Sequence, residues 1–243
     1  IDIVVPVFNE PENTRAFYGS LIKLVRSDWR LLIVYDFDAD TTLPVARELL
    51  NNDERITLVR NDGRGALSAL KAGFRAATCE AVCAAMVDDP ESIIGAFDEL
   101  LADFYEQEAT VAVASRYMPG GSHTGGPWLK GLLSRTAGLS LHYLIFLPTH
   151  DATYNTRIYR KSFLDAITIE STQGFEVALE IIIKAHLAGR TIIEHPVHWA
   201  EREVGVSRFK LMKWIVAYSY WYLYGITHYW LPSLFSSPLT KNN

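Results

Sequence analysis

Two short acidic segments contain the side chains in this sequence that are best suited to binding and catalysis. In the first segment, DFDADTT at residues 36–42, the carboxylates are Asp36, Asp38 and Asp40. In the second segment, DDPE at residues 88–91, they are Asp88, Asp89 and Glu91. Carboxylates accept hydrogen bonds, and Mg²⁺ and Mn²⁺ prefer oxygen ligands. We therefore expect the first segment to contact a base and a ribose, and the second to hold a metal ion beside a diphosphate.

Each acidic segment also has a simpler explanation, which is that acidic residues after a strand stabilise the positive end of the next helix. For either segment taken alone, this capping role is the better explanation. Two such segments at one edge of a sheet favour a binding site instead. A third polar segment, NDGRG at residues 61–65, lacks the full dinucleotide-binding and Walker patterns. Its two glycines are compatible both with a tight helix start and with a ligand-binding loop.

Strands that alternate with helices determine where these segments lie. Apolar runs predict strands at residues 1–8, 29–35, 56–59, 81–87 and 110–114, with helices between them at residues 43–50, 63–77 and 93–105. This alternation predicts βαβ units and a mostly parallel, Rossmann-like α/β sheet flanked by helices. Ligands bind beyond the carboxyl ends of the strands in such sheets. All the polar segments follow strands, so we expect them to converge on one edge.

The composition limits the class of protein. The chain has 243 residues, 49% of them hydrophobic, which is enough for the core of a single domain. Its net charge of −5 argues against a nucleic-acid partner, because binding to a phosphate backbone requires a basic surface. Cys79 and Cys83 are predicted to be buried thiols in a reducing compartment. A glycine-rich stretch at residues 118–128, one or two apolar helices at 129–147 and a strand at 191–199 are predicted further along.

Five segments in a fixed order resemble the motifs of family 2 glycosyltransferases. They are VVPVFNE at residues 4–10, DFDADTT at 36–42, RNDGRGALSALKAGFRAA at 60–77, MVDDPES at 86–92 and SRYMPGG at 115–121. Segments at residues 151–164, 174–180 and 194–208 are similar to dolichol-phosphate mannose synthases and bacterial polyprenyl-phosphate glycosyltransferases. The resemblance covers residues 1–210 and implies a GT-A fold, a nucleotide-sugar donor, a Mg²⁺ or Mn²⁺ cofactor and inversion at the anomeric carbon.

The resemblance also implies roles for particular residues. The nucleotide-sugar site is expected to contain Pro6, Phe8, Glu10, Asp36, Asp38 and Asp88. The metal is expected at Asp88, Asp89 and Glu91, and the catalytic residues are expected to be Asp89, Arg116 and Arg202. The residues expected to face an acceptor phosphate beside these arginines are Ser134, Arg135, Ser207 and Arg208. A guanidinium suits this role because it binds phosphate with two parallel hydrogen bonds.

The chain departs from the family pattern at three places. Tyr35 stands where the family has the first of two adjacent acidic residues. In the Asp-any-Asp metal motif, Val87 takes the first Asp position and Asp89 the second, whereas an alignment on the following Pro-Glu makes Asp88 and Asp89 the pair. The usual SGF is replaced by YNT at residues 154–156. These changes leave the identity of the donor open.

The expected reaction is an in-line attack by an acceptor oxygen on the anomeric carbon, with the metal stabilising the departing nucleoside diphosphate. A polyprenyl or dolichyl phosphate is already ionised and needs no general base. A hydroxyl acceptor needs one, and Glu176 or Glu180 is then the candidate, although either could instead hold a basic partner in its helix. A nucleotide-sugar-binding protein without turnover is the other alternative. A nucleotidyltransferase is disfavoured, because no glycine-rich basic loop follows the first strand.

The last part of the sequence predicts association with a membrane surface. Residues 214–240 contain no Asp, Glu, Lys or Arg and are rich in Trp and Tyr, which concentrate at membrane interfaces. They are too polar for a good spanning helix. We expect a transferase domain at residues 1–210 and an interfacial helical segment at residues 211–243, at the cytoplasmic face of a membrane. Ordinary core helices with an oligomer contact are the alternative.

Overall fold

A computed structural model describes residues 1–200 and 211–234, and its centre is a seven-stranded sheet. The strands of this sheet are β1 Asp2–Pro6, β2 Arg30–Tyr35, β3 Ile56–Arg60, β4 Ala81–Ala84, β5 Val111–Ser115, β7 Arg157–Arg160 and β8 Ile192–Pro196. Their order is β3-β2-β1-β4-β7-β5-β8. Neighbouring strands pair in parallel except at β7, which runs antiparallel between β4 and β5. Two short strands, β6 Ser122–Thr124 and β9 His198–Ala200, form a separate parallel pair.

Helices cover both faces of the sheet. The helices of the described residues are α1 Pro11–Leu24, α2 Leu43–Asn52, α3 Ala66–Ala76, α4 Glu91–Ile94, α5 Phe97–Glu106, α6 Trp128–Leu144, α7 Lys161–Ala166, α8 Val177–Leu187 and α9 Leu211–Trp230. One hydrophobic cluster joins the sheet to α1, α2, α4 and α5, and a second joins its other face to α3 and α6–α9. The sheet is therefore the middle layer of a three-layer α/β domain.

The apolar run at the start of the chain forms a strand because both of its faces are buried. Ile3 and Val5 pack into the first cluster, and Val4 packs into the second. A parallel strand covered on both sides requires such a continuous run. Helix α3 lies so close to β1 that a Cβ atom on Gly73 would be 2.1 Å from the Cγ1 atom of Val4. This close packing sets the distance between β1 and the loop that precedes α3.

The predicted fold class is confirmed, with differences at particular elements. The strand predicted at residues 191–199 is two strands, because the chain bends at Val197 and its second part pairs with β6. The predicted strand at residues 81–87 ends at Ala84, and α6 is one continuous helix. Strand β7 was not predicted, since its four residues RIYR carry a basic residue at each end. Cys79 and Cys83 are free thiols, and only Cys83 is fully buried.

Helix α9 packs against α6 and α8. The Tyr222 hydroxyl donates a hydrogen bond to Ser140 Oγ at 2.9 Å, and the Trp230 indole N–H donates to the carbonyl of Leu144 at 3.0 Å. The Lys184 ammonium of α8 lies 4.9 Å from the centre of the Trp221 ring. No helix in the described part of the chain combines the length and the hydropathy needed to span a bilayer.

Candidate active site

The carboxylate of Asp36 is fixed at the end of β2. Its Oδ1 accepts a hydrogen bond from Asn61 Nδ2 at 2.7 Å, and its Oδ2 accepts one from the backbone N–H of Gly65 at 2.7 Å. Asn61 Oδ1 in turn accepts hydrogen bonds from the Gly63 N–H and the Ser68 hydroxyl. Gly65 immediately precedes α3 with a φ of +86°, a conformation that favours glycine. The NDGRG segment therefore starts α3 tightly and orients Asp36 at the same time.

Asp40 connects two loops at the same edge. Its Oδ1 accepts hydrogen bonds from the backbone N–H groups of Asn9 at 3.0 Å and Thr42 at 2.8 Å. Asn9 has a φ of +55°, and its Oδ1 accepts a hydrogen bond from the Thr41 N–H. The Glu10 N–H donates to Thr42 Oγ1 at 2.9 Å. These bonds hold the end of β1 against the loop after β2. Asp40 was predicted to contact a base or a ribose, but its Oδ1 atom is occupied by hydrogen bonds within these two loops.

Two aromatic rings lie beside these carboxylates. Phe8 is 49% exposed, and its ring centre is 5.5 Å from that of Phe37 in an edge-to-face arrangement. Pro6 is the last residue of β1, two positions before Phe8, and it is partly buried. Asp38 forms an exposed ion pair with Arg60 at 3.3 Å. The predicted nucleotide-site residues after β1 and β2 therefore lie at the ends of two adjacent parallel strands, with an exposed ring available to stack on a base.

The predicted metal ligands face in three different directions. Asp88 is exposed, whereas Asp89 is buried and both of its carboxylate oxygens accept hydrogen bonds within the protein. The Glu91 carboxylate lies against α1, 3.4 Å from both the Ser20 hydroxyl and the Lys23 ammonium. Among the described residues, no group of three or more His, Cys, Asp and Glu side chains is arranged to hold a metal. The structure thus does not assemble the predicted three-carboxylate set.

Burial raises the pKa of Asp89. The pKa of this carboxyl rises to about 6 because burial disfavours its charge, although hydrogen bonds from Thr156, Tyr154 and the Met86 N–H oppose the rise. The Tyr154 hydroxyl and the Thr156 hydroxyl each donate to Asp89 at 2.6 Å. Asp88, in contrast, is exposed at its side of the turn.

A largely buried arginine and a fully buried aspartate form the centre of the second half of the site. Arg116 Nε donates to Asp151 Oδ2 at 2.7 Å and Arg116 Nη2 donates to Oδ1 at 3.0 Å, which is a two-point ion pair. Burial alone would raise the pKa of Asp151, but the charge and hydrogen bonds of Arg116 outweigh it and the pKa lies below its ordinary value. The Arg116 guanidinium also lies over the Tyr154 ring, 4.4 Å from its centre.

Helix α6 brings further polar groups to Arg116. Ser134 Oγ accepts a hydrogen bond from Arg116 Nη2 at 3.1 Å and from the Tyr117 hydroxyl at 3.2 Å. Arg135, the next residue of α6, is exposed. The helix can approach because Gly138 has no side chain, since a Cβ atom there would be 2.2 Å from the His150 carbonyl oxygen. The predicted residues Arg202, Ser207 and Arg208 lie outside the described residues.

Several residues of this half were not predicted to act at the site. Asp151 and the pair Tyr154 and Thr156 lie in a segment that carries the family resemblance, but a partner for Arg116 cannot be identified from sequence spacing. Arg157 is also fully buried, and its guanidinium donates to the backbone carbonyls of Ala178 at 2.6 Å and Asp151 at 3.1 Å. Arg157 is the first residue of β7, a strand that the sequence did not predict, so nothing in the sequence signalled its burial.

The two candidate general bases, Glu176 and Glu180, hold a loop in place. Glu180 is fully buried and accepts hydrogen bonds from the Lys184 ammonium at 2.6 Å and from the backbone N–H of Glu170 and Ser171. Glu176 Oε1 accepts hydrogen bonds from the N–H groups that lead into α8. The sequence left two roles open for Glu180, a general base or a helix carboxylate that holds a basic partner. The structure shows the second, with Lys184 as the partner.

The sheet order, the antiparallel β7 and the polar groups at the carboxyl ends of the parallel strands define a GT-A glycosyltransferase fold. The chain belongs to glycosyl transferase family 2, whose family model matches residues 2–168. It is 28% identical over 228 residues to polyprenol monophosphomannose synthase of Mycolicibacterium smegmatis, covering 87% of this chain and 85% of that protein. It is 25% identical over 217 residues to dolichol-phosphate mannosyltransferase of Pyrococcus furiosus, covering 86% of this chain and 59% of that protein.

Solved structures agree with this fold. The glucosyl-3-phosphoglycerate synthase from Mycobacterium tuberculosis, in complex with Mn²⁺, UDP and glucosyl-3-phosphoglycerate, superposes with a TM-score of 0.65. The sequence identity is 14%, and the match covers 93% of this chain and 78% of that chain. The same enzyme has also been solved with Mg²⁺ and UDP. At this identity the likeness establishes the architecture, and the family match establishes glycosyltransferase membership.

Proposed function

We propose that the chain transfers a hexose from a GDP- or UDP-sugar to a polyprenyl or dolichyl phosphate, with inversion at the anomeric carbon. The observation that carries this proposal is the group formed by Arg116, Asp151 and Ser134 beside the exposed Arg135. It offers one guanidinium fixed by an ion pair and one exposed guanidinium, the latter on the largely apolar helix α6. The names of the two curated relatives, which describe transfer of mannose to lipid phosphates, support the choice of acceptor class.

The donor is proposed to bind at the ends of β1, β2 and β4. Phe8 offers an exposed ring to the base, and Asp36 is held in one orientation by Asn61 and Gly65. Base–aromatic stacking contributes about 1–3 kcal/mol, which makes Phe8 the main candidate for base affinity. A Mg²⁺ or Mn²⁺ ion held by Asp88 and the donor diphosphate would stabilise the leaving group. Asp88 is exposed at the carboxyl end of β4, where such an ion is accessible.

A phosphate acceptor fits the site better than a hydroxyl acceptor. A hydroxyl must lose its proton to a base in the transition state, and the phosphate oxygen is already ionised. Both carboxylates considered for that task, Glu176 and Glu180, accept backbone hydrogen bonds, and Glu180 is also paired with Lys184. Their arrangement favours attack by an ionised phosphate oxygen.

The lipid part of the acceptor is proposed to lie along α6 and α9 at the cytoplasmic face of a membrane. Exposed apolar side chains of α6 and the following loop include Trp128, Leu132, Tyr143 and Phe146. On α9, exposed side chains recur at helical spacing, at Val216, Tyr220, Leu223 and Trp230. Helices α6 and α9 pack together, both carry exposed apolar side chains, and Arg135 is exposed on α6 between Leu132 and Tyr143. Residues 211–243 are accordingly proposed to be an interfacial segment.

A transfer assay tests the function. Purified protein is incubated with radiolabelled GDP- or UDP-hexoses, MnCl₂ or MgCl₂, and polyprenyl phosphate, with the unphosphorylated polyprenol as the matched acceptor. We expect label in the lipid only with the phosphate and only with added cation. Replacement Asp88→Asn should reduce transfer about 100-fold, and Asp28→Asn, an exposed carboxylate before β2 at the opposite end of that strand, should have little effect. Transfer to polyprenol, or donor binding without any transfer, would contradict the proposal.

A sedimentation assay with phosphatidylglycerol vesicles tests the surface. The wild-type chain should sediment with vesicles, and Leu223→Glu on α9 should weaken binding by roughly tenfold, because a charged group replaces an apolar one that the membrane interface would cover. Leu50→Glu is the matched control, since Leu50 is exposed on the opposite helix layer. Equal sedimentation of both variants, or a stable dimer without vesicle binding, would reject the membrane surface.

A further inference from the structure

The turn that carries Asp88 is closed by the neighbouring carboxylate. The Asp89 N–H donates to the Met86 carbonyl at 2.9 Å, and the Met86 N–H donates back to Asp89 Oδ2 at 3.0 Å. Asp89 is buried below this turn, and Asp88 is exposed within it. Any displacement of the Asp89 carboxylate therefore displaces Asp88 as well.

Two hydroxyl groups attach this turn to the start of β7. The Tyr154 hydroxyl donates to Asp89 Oδ1 at 2.6 Å, and the Thr156 hydroxyl donates to Asp89 Oδ2 at 2.6 Å. Both contacts are buried, so water does not compete for the carboxylate. Hydrogen bonds to a charged acceptor are about twice as strong as those between neutral groups. The turn is consequently held by its own Met86–Asp89 hydrogen bonds and by the hydroxyl groups of Tyr154 and Thr156.

Tyr154 also contacts the acceptor half of the site. Its ring lies under the Arg116 guanidinium, 4.4 Å from ring centre to the guanidinium carbon, and its backbone N–H donates to Asp151 Oδ1 at 3.2 Å. Asp151 is the same carboxylate that forms the ion pair with Arg116. A single side chain therefore connects the loop that carries Asp88 to the buried cation at the other end of the reaction path.

We propose that Tyr154 is a positioning residue that sets the separation between Asp88 and Arg116, with Thr156 as a second attachment of Asp89. Asp89 is then an anchor for the turn and not a ligand in its own right. This inference rests on the proposed function, in which Asp88 serves the donor diphosphate and Arg116 serves the acceptor. The reaction needs both substrates in line, and a misplacement of about 1 Å can lower a rate by about 100-fold.

The test uses Tyr154→Phe, which keeps the ring under Arg116 and removes the hydroxyl, and the double variant Tyr154→Phe/Thr156→Val. Tyr18→Phe is the matched control, because the Tyr18 hydroxyl donates at 2.9 Å to Asp53, which lies before β3 at the opposite end of the strands from the site. We expect Tyr154→Phe to lower kcat by about tenfold to 100-fold with a smaller change in the acceptor KM. Tyr18→Phe should leave both unchanged even if it lowers Tm by a similar amount.

Two readouts separate this inference from the proposed function. The affinity of MnCl₂ with GDP or UDP, measured by calorimetry well below Tm, should fall several-fold in the Tyr154 variants and stay constant in Tyr18→Phe. Amide hydrogen exchange at residues 86–89 should accelerate in the double variant whether or not the protein turns over. If wild-type protein shows no transfer, the proposed function fails, but the exchange measurement still tests whether Tyr154 and Thr156 hold the turn at residues 86–89. Unchanged exchange in residues 86–89 of the double variant would overturn the positioning role of Tyr154.

Discussion

The two halves of the site are built in different ways. In the donor half, Phe8, Asp36 and Asp88 each lie within four residues of the end of a strand, and the parallel pairing of β1 with β2 and β4 brings them to one edge. In the acceptor half, Arg116, Ser134 and Asp151 come from a strand end, a helix and a loop. The donor half depends on regular topology, whereas the acceptor half depends on a buried ion pair and on close packing of α6.

The largest expected effect comes from breaking the ion pair of the acceptor half. Asp151→Asn leaves the Arg116 charge buried without its counter-charge, and such losses destabilise proteins by about 3–5 kcal/mol. Removal of the exposed Asp38 carboxylate, which pairs with Arg60 in the donor half, should change stability by less than about 1 kcal/mol. Urea unfolding of both variants measures this, and equal losses would erase the proposed difference between the halves.

The pH dependence of stability should have opposite signs for the two buried carboxylates. Asp89 has a native pKa of about 6, above its unfolded value, so the native state binds the extra proton between pH 4 and 6. Its contribution to stability is therefore present at low pH and declines as pH rises to 6. The pKa of Asp151 is lowered, so its contribution is present above its unfolded pKa and is lost as pH falls.

Unfolding free energies of wild type and Asp89→Asn at pH 4, 5, 6 and 7 test this sign. The stability of the variant relative to wild type should increase by on the order of 2 kcal/mol from pH 4 to pH 6 and then level off. A relative stability that stays constant, or that falls over this interval, would show that Asp89 is charged in the native state throughout.

A smaller effect is expected from the packing of α6. Gly138→Ala introduces a Cβ atom 2.2 Å from the His150 carbonyl oxygen, so α6 must move and stability should fall by about 1–3 kcal/mol. Gly19→Ala is the matched control in α1, where a Cβ atom meets nothing within 4 Å, and it should stabilise the protein by up to about 1 kcal/mol. Thermal unfolding compares them, and a harmless Gly138→Ala would show that α6 is loosely packed.

The sequence predicts the donor half better than the acceptor half for a physical reason. Apolar runs followed by polar residues identify parallel strands and the edge where their ends meet, which locates Phe8 and Asp36. The sequence could not show that Asp89 is turned inward while Asp88 is exposed, since two adjacent carboxylates look alike without their neighbours. It could not identify the pairing of Arg116 with Asp151, 35 residues away, because that contact depends on how α6 folds back.

The central claim is that one half of the site binds the donor and the other half binds the acceptor. The substrate KM values of Phe8→Ala and Arg135→Ala in the transfer assay test this claim most directly. Phe8→Ala should raise the KM for the nucleotide-sugar about tenfold, through lost stacking on the base, and leave the KM for polyprenyl phosphate unchanged. Arg135→Ala should raise the KM for polyprenyl phosphate about tenfold and leave that for the donor unchanged. If either variant alters both values equally, or if Arg135→Ala affects the donor alone, the assignment of donor and acceptor to separate halves is contradicted.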